Sequence, residues 1–242
     1  MRTLVISDIH ANLTALETVL DHAGKVERVW CLGDVVGYGP SPNECIERVR
    51  NLPNVTCLLG NHDAAAINQI DIQTFNPEAR ISIEWLQGVL TEESLNFLTS
   101  LPMSKSFDQT TLVHGSPRQP VFEYLLDTQA ATDNFDYFDT DFCFVGHTHL
   151  PVNFHLSNND YTARLSIPPM NKVSQLEART IINPGSVGQP RDRDPRAAYA
   201  IFDPSENTWD YRRVEYDIPA VQELMTAAGL PERHVIRLEG GW

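Results

Sequence analysis

The sequence predicts an α/β fold with a largely parallel sheet built by its front half and antiparallel hairpins behind. Three observations predict it. Short apolar or β-branched runs recur at residues 4–6, 29–32, 55–59, 111–113, 142–145 and 180–182, and each gives way within two residues to Gly, Asp, Asn or His. Buried strands opening into loops have that form. Helical patterns separate the early runs, so strand, helix, strand and helix alternate and imply right-handed crossovers in a parallel sheet. Two later pairs of runs flank turn-rich segments and read as hairpins.

The first helix is expected over residues 12–22, where Leu13, Leu16, Val19 and Leu20 make one apolar stripe. The second begins at Ser41-Pro42-Asn43-Glu44 and runs to about Val49. A capping Ser, Pro in the first helical position and Glu three residues after the cap predict a capping box. Residues 64–100 read as helical, with starts at Asn76-Pro77 and Thr91-Glu92-Glu93. The hairpins are expected at 152–156 with 161–167, and at 198–202 with 209–216. A late helix over 220–228 ends at Gly229, and Glu239-Gly240-Gly241-Trp242 reads as a tail.

Length and composition bound the function. The 242 residues fit a single domain, with 64–100 as a candidate cap and 217–242 as a short C-terminal extension. Ile70, Ile72 and Phe75 in the first of these would cover a site or meet a second copy of the chain, so a homo-oligomer is one expectation. A net charge of -14 argues against a sequence-independent grip on a nucleic-acid polymer. It does not exclude a small phosphorylated substrate, because bound cations reverse the local field. Cys31, Cys57 and Cys143 lie in apolar runs, Cys45 stands apart from them, and no Cys-x-x-Cys pair occurs. Buried free thiols and a cytoplasmic location are therefore expected, and no run is long enough for a membrane span.

Five polar motifs follow the apolar runs. They are Asp8-Ile9-His10, Gly33-Asp34, Gly60-Asn61-His62-Asp63, His114-Gly115 and Gly146-His147-Thr148-His149, and they hold five of the eight histidines. Asp8 and His10, like His147 and His149, are two apart, a spacing that puts both side chains on one side of an extended segment. Carboxylate with imidazole is a donor set for Mn, Fe, Zn, Co or Ni. Such ligands arriving from several strand ends are what a two-metal hydrolase requires.

This ordered set, together with Asn183-Pro184-Gly185-Ser186-Val187-Gly188-Gln189-Pro190-Arg191-Asp192, resembles the calcineurin-like metallophosphoesterase family, and within it the small bacterial and archaeal phosphodiesterases. The resemblance covers about residues 1–202. It implies a four-layer α-β-β-α sandwich of two mixed sheets flanked by helices. It also implies two divalent metal ions, Mn favoured. Asp8, His10 and His149 would hold one ion, Asn61, His114 and His147 the other, and Asp34 would bridge them. An anionic bridge suits two cations about 3.5–4 Å apart, and hydroxide bridging them would be the nucleophile. The resemblance gives His62 the place beside the leaving group, as general acid or charge stabiliser. Asp63 would orient that imidazole or cap the following helix.

Two departures from the family bear on substrate. Members acting on phosphoproteins carry Asp-Arg where this chain has Gly37-Tyr38. That loses a phosphate clamp and an orienter of the histidine, so a small phosphodiester or nucleotide-type phosphate is the expected substrate. Phosphomonoesterase or protein phosphatase activity, a nuclease and a non-catalytic scaffold are the alternatives. Tyr38 would stack on a nucleobase or pack its own loop. Arg191 would contact phosphate through its guanidinium fork, or pair with Asp192 or Asp194. Asn183 is placed to brace the His147–His149 loop. His22, His155 and His234 match no motif and read as surface or helix-end histidines; Trp30, Trp85 and Trp209 read as core or half-buried. The acids Asp127, Asp133, Asp136, Asp139 and Asp141 read as a solvated stretch.

Overall fold

The computed structural model describes residues 2–242. Two six-stranded mixed sheets pack face to face, with helices outside them. The first sheet has the order β3 (Val55–Cys57), β2 (Arg28–Cys31), β1 (Thr3–Ile6), β11 (Ala197–Asp203), β12 (Thr208–Val214) and β9 (Val173–Gln175). The second has β4 (Ser104–Phe107), β5 (Thr110–Val113), β6 (Phe142–Phe144), β10 (Thr180–Pro184), β7 (Pro151–His155) and β8 (Arg164–Ser166).

Strand alternation builds the layers. Leu4, Ile6, Val29 and Cys31 point outward to α1 (Leu13–Ala23) and α2 (Pro42–Arg50), joining Leu16, Val19, Ile46 and Val49 in one apolar cluster. Val5, Trp30 and Leu32 point inward, where they meet Leu112, Phe142, Phe144 and Ile182 of the second sheet. Period-2 alternation sends neighbours to opposite faces, and here both faces are covered. On the far side of the second sheet, Val113, Cys143 and Ile181 pack against Leu125, Ala131 and Phe135 around α6 (Thr128–Asn134).

The expected crossovers are present. β1, β2 and β3 are mutually parallel, with α1 and α2 between them in sequence. Both hairpins form: β7 pairs antiparallel with β8, and β11 with β12. The rear half is less uniformly antiparallel than its hairpins suggest, because β5, β6 and β10 run parallel. The C-terminal ends of six strands thus open on the motif loops.

Helix starts follow the local chemistry with one exception. Asn12 accepts from Ala15 N–H, Asn76 from Ala79 and Thr91 from Ser94, starting α1, α4 (Pro77–Val89) and α5 (Glu92–Thr99). Ser41 precedes α2, with Pro42 in the first turn, but its side chain makes no capping bond. Its ψ of 59° is not extended, and its N–H goes to Ala11 carbonyl instead. The capping box expected there is not made.

Four segments were not anticipated. β4 and β9 are short and lie at sheet edges, and α6 grows out of the acidic stretch because Asp127 caps it by accepting from Ala130 N–H. The presumed tail at Glu239 is the end of α8 (Glu232–Gly240), which packs on α7 (Ile218–Ala227) through Leu238, Val221 and Met225. All four cysteines are free and buried, and Trp30 and Trp209 lie in the core with Trp85 half-buried. Among the described residues no helix is long and apolar enough to cross a membrane.

Candidate metal centre

The motif loops are laced together by backbone bonds that continue the strand ladders. Asp8 N–H donates to Gly33 carbonyl at 3.0 Å, His10 to Asp34 at 3.0 Å, and Gly146 to His114 at 2.8 Å. Asp8, His10, Asp34, His147 and His149 all hold positive φ, from 50° to 64°. Left-handed backbone costs a non-glycine residue free energy and persists where surroundings over-determine it. Here it turns five candidate ligands inward at once.

Asp34 is the hub. Its Oδ1 accepts from His62 N–H at 2.8 Å. Its Oδ2 lies 3.7 Å from His10 Nε2 and 3.4 Å from His114 Nε2, and is buried without a hydrogen-bond partner among the described residues. On one side, Asp8 Oδ1 is 3.4 Å from His149 Nε2, which is 3.1 Å from His10 Nε2. On the other, His114 Nε2 is 3.2 Å from Asn61 Oδ1. Asp8, His10 and His149 form one set able to hold a cation, and Asp34, His114 and His147 another, with each set's ligand atoms within 4.8 Å. His10, Asp34 and His62 form a third such set.

Each of the four candidate ligand histidines anchors one ring nitrogen on a backbone carbonyl. His10 Nδ1 meets Val36 O at 3.1 Å, His114 Nδ1 meets Leu32 O at 2.9 Å, His149 Nδ1 meets Gln189 O at 2.5 Å, and His147 Nε2 meets Phe122 O at 3.1 Å. A carbonyl only accepts, so these nitrogens carry hydrogen and the other one is left for the centre. Burial holds His10 and His149 well below the usual imidazole range and His147 down to about 3. Neutral rings with free lone pairs are what a metal needs.

Asp34 behaves differently. Burial opposes its charge, but the adjoining His114 holds its carboxyl well below the usual range. Burial likewise opposes charge on His114, yet Asp34 raises it to about 9. Burial pushes Asp8 up to about 6, against the pull of His114. A buried carboxylate with one unsatisfied oxygen attracts positive charge.

His62 sits beside this hub, its ring 5.0 Å from that of His10. Burial lowers it to about 4, so the ring rests neutral. Its Nδ1 has no hydrogen-bond partner among the described residues. Asp63 neither orients that ring nor stands as N-cap. It is the third residue of α3 (Asn61–Ala66), where Oδ2 accepts from Gly60 N–H at 3.0 Å and Oδ1 from Val36 N–H at 3.1 Å. It ties the loop bearing Asp34 to the start of α3.

Tyr38 is 6 % exposed, with His62, His234 and His10 rings at 4.3, 4.7 and 4.8 Å. It packs its loop and offers no open face for a base. Arg191 lies over the Tyr38 ring at 5.8 Å, and its expected alternative partners are taken: Asp192 pairs with Arg213, and Asp194 with Arg196. Asn183 does brace the His147–His149 loop, donating to Gly146 carbonyl at 2.7 Å and Thr148 Oγ1 at 3.0 Å. His22 is exposed and His155 half-buried, but His234 is buried, bonded to Ser82 Oγ at 2.9 Å. The surface reading of His234 fails because α8 folds back over Tyr38.

Two further neighbours of the centre lie outside the five polar motifs. Tyr124 stacks on His147 with centroids 3.8 Å apart while remaining 48 % exposed, and Phe122 beside it is 45 % exposed. Aromatic residues in the loop after His114 were the available signal. Gln189 is the other, since its carbonyl anchors His149.

Comparison with known proteins agrees with this architecture. A Methanocaldococcus jannaschii protein, MJ0912, is 38% identical over 235 residues, 94% of this chain and 93% of its own. The crystal structure of a metallophosphoesterase from Sphaerobacter thermophilus superposes with a TM-score of 0.91 at 47% identity, covering 100% of this chain and 99% of that one. The symmetrical bis(5'-nucleosyl)-tetraphosphatase of Yersinia enterocolitica is 30% identical over 118 residues, 47% of this chain and 40% of its own, so the match spans under half of that enzyme. The family model for the calcineurin-like phosphoesterase superfamily domain matches residues 1–207, and the chain belongs to that superfamily.

Proposed function

We propose that the protein is a two-metal phosphoesterase that hydrolyses a small phosphodiester or a nucleotide-type phosphoanhydride. The observation that carries this reading is Asp34 Oδ2, buried, without a hydrogen-bond partner among the described residues and flanked by nitrogens of His10 and His114. The donor set fits divalent ions of the Mn, Fe, Co, Ni and Zn group, with Mn favoured. Asp8, His10 and His149 would hold one, Asn61, His114 and His147 the other, and Asp34 both. Bound there, such ions would supply Lewis acidity toward a phosphoryl oxygen and acidify water to hydroxide near neutral pH.

The chain's own groups do the rest. Asn61 adds a neutral donor, which leaves the centre net positive toward an anionic phosphate. His62, its ring 5.0 Å from that of His10, would stand beside the leaving oxygen. Its neutral resting state argues for an N–H that donates to the developing negative charge, rather than for a stored proton. Gly37-Tyr38 in place of an acidic-basic pair weighs against phosphoprotein substrates. The exposed Tyr124 and Phe122 rings give an apolar substituent a surface beside His147. The tetraphosphatase relative, matched over 47% of this chain, supports a nucleotide-type substrate.

The test is hydrolysis of bis(4-nitrophenyl) phosphate by purified protein with added Mn²⁺. Turnover should fall about 10²-fold or more in His62→Ala, the size of a lost acid or electrostatic stabiliser. Wild-type activity no higher than that of the variant would refute the hydrolase reading.

A further inference from the structure

Helix α8 brings a second cation to the rim of the centre. His234 packs edge-on against Tyr38, and Arg237, three residues on, shares its helix face. Arg237 Nη1 reaches Gln189 Oε1 at 3.3 Å, and Arg191 Nη2 reaches the same oxygen at 3.0 Å. The carbonyl of that glutamine holds His149. Two guanidiniums therefore converge on one neutral oxygen, next to a candidate ligand.

Neither arginine has an Asp or Glu carboxylate within ion-pair distance among the described residues, since the nearby acids serve Arg196 and Arg213; Arg237 Nε donates to an oxygen of Trp242 at 2.8 Å, which leaves its Nη1 free to face Gln189. Arg191 Nε and the Gln189 amide nitrogen are buried without partners among the described residues. Like charges held together in a chain of net charge -14 are a local inversion of its field. Burial and the charge of Arg191 both lower the affinity of Arg237 for its proton. An anion with several oxygens relieves this arrangement, and guanidinium forks match phosphate. The reacting phosphate would already face two divalent ions, so the arginine pair answers to additional negative charge.

We propose that Arg237 and Arg191 clamp a second phosphate group of the substrate, which makes the protein selective for linked phosphates over single phosphodiesters. This rests on the phosphoesterase reading above. It names α8, outside the 1–207 family match, as part of substrate selection.

The experiment has a catalytic and a binding arm. In Arg237→Gln, the ratio of kcat/KM for a dinucleoside tetraphosphate to that for bis(4-nitrophenyl) phosphate should fall about tenfold, with partial recovery in Arg237→Lys. By calorimetry on Mn²⁺-loaded protein, pyrophosphate should bind about tenfold more weakly to Arg237→Gln, and orthophosphate should change much less. Arg191→Gln should show the same selective loss, which guards against an effect of disturbing the Arg237 bond to Trp242. Pyrophosphate affinity within about twofold of wild type, or an equal loss for both anions, would overturn the clamp. Selective pyrophosphate binding in a wild type that hydrolyses no phosphate ester would uphold the clamp and refute the catalytic reading instead.

Discussion

Gly37 shows how narrowly single residues define this centre. Its φ is +98°, and a methyl group there would meet His62 Nδ1 at 2.7 Å. The position at which the phosphoprotein-directed relatives carry Asp is here filled by the imidazole ring itself. Gly37→Ala should displace that ring, lower kcat on an aryl phosphodiester about 10–10²-fold and cost about 1–3 kcal/mol of stability. Steady-state kinetics and thermal melts check both, and kcat within about twofold of wild type would contradict the placement of His62. The candidate ligands were legible in the sequence because each is a polar residue at the end of an apolar run. Roles set by which partner a side chain meets were not. Asp63 reads equally as an orienter or a cap until Val36 and Gly60 N–H are seen to occupy both its oxygens.

At the scale of elements, α8 was the least legible part of the chain. Only its end, from Glu239, drew a reading, as a tail, and its one apolar face makes sense only against α7, Ser82 and Tyr38. β4 and β9 escaped for a similar reason, since exposed edge strands lack an apolar alternation. The helices with Asn or Thr caps were legible because their starts are decided locally. The docking of α8 carries a pH signature. Burial pushes His234 down to about 4 from the usual 6.5, so the folded state keeps it neutral while the unfolded chain takes up a proton sooner. Its contribution is complete above pH 6.5 and is lost as pH falls toward 4, amounting to roughly 3 kcal/mol at most. Thermal melts across that window should fall more steeply for wild type than for His234→Gln. Parallel curves would contradict a buried neutral His234.

For the whole molecule, the centre lies on the seam between two sheets. Asp8, His10, Asp34 and Asn61 follow strands of the first, and His114, His147 and His149 follow strands of the second. Packing of Val5, Trp30 and Leu32 on Leu112, Phe144 and Ile182 sets the distance between the two halves. Such close-packed interiors hold positions to fractions of an ångström. The division of candidate ligands between sheets was not legible in the sequence, and of the parallel strands behind it only β1, β2 and β3 were. Acidity of the chain as a whole and a positive rim at Arg191 and Arg237 together favour small anions over polymers.

The central claim is that Asp34 joins two cation sites into one centre, and anomalous diffraction from a crystal of the Mn²⁺-loaded protein tests it most directly. Two peaks should flank the Asp34 carboxylate, one beside Asp8, His10 and His149 and the other beside Asn61, His114 and His147. No peak at Asp34, or a single ion held without it, would contradict the account.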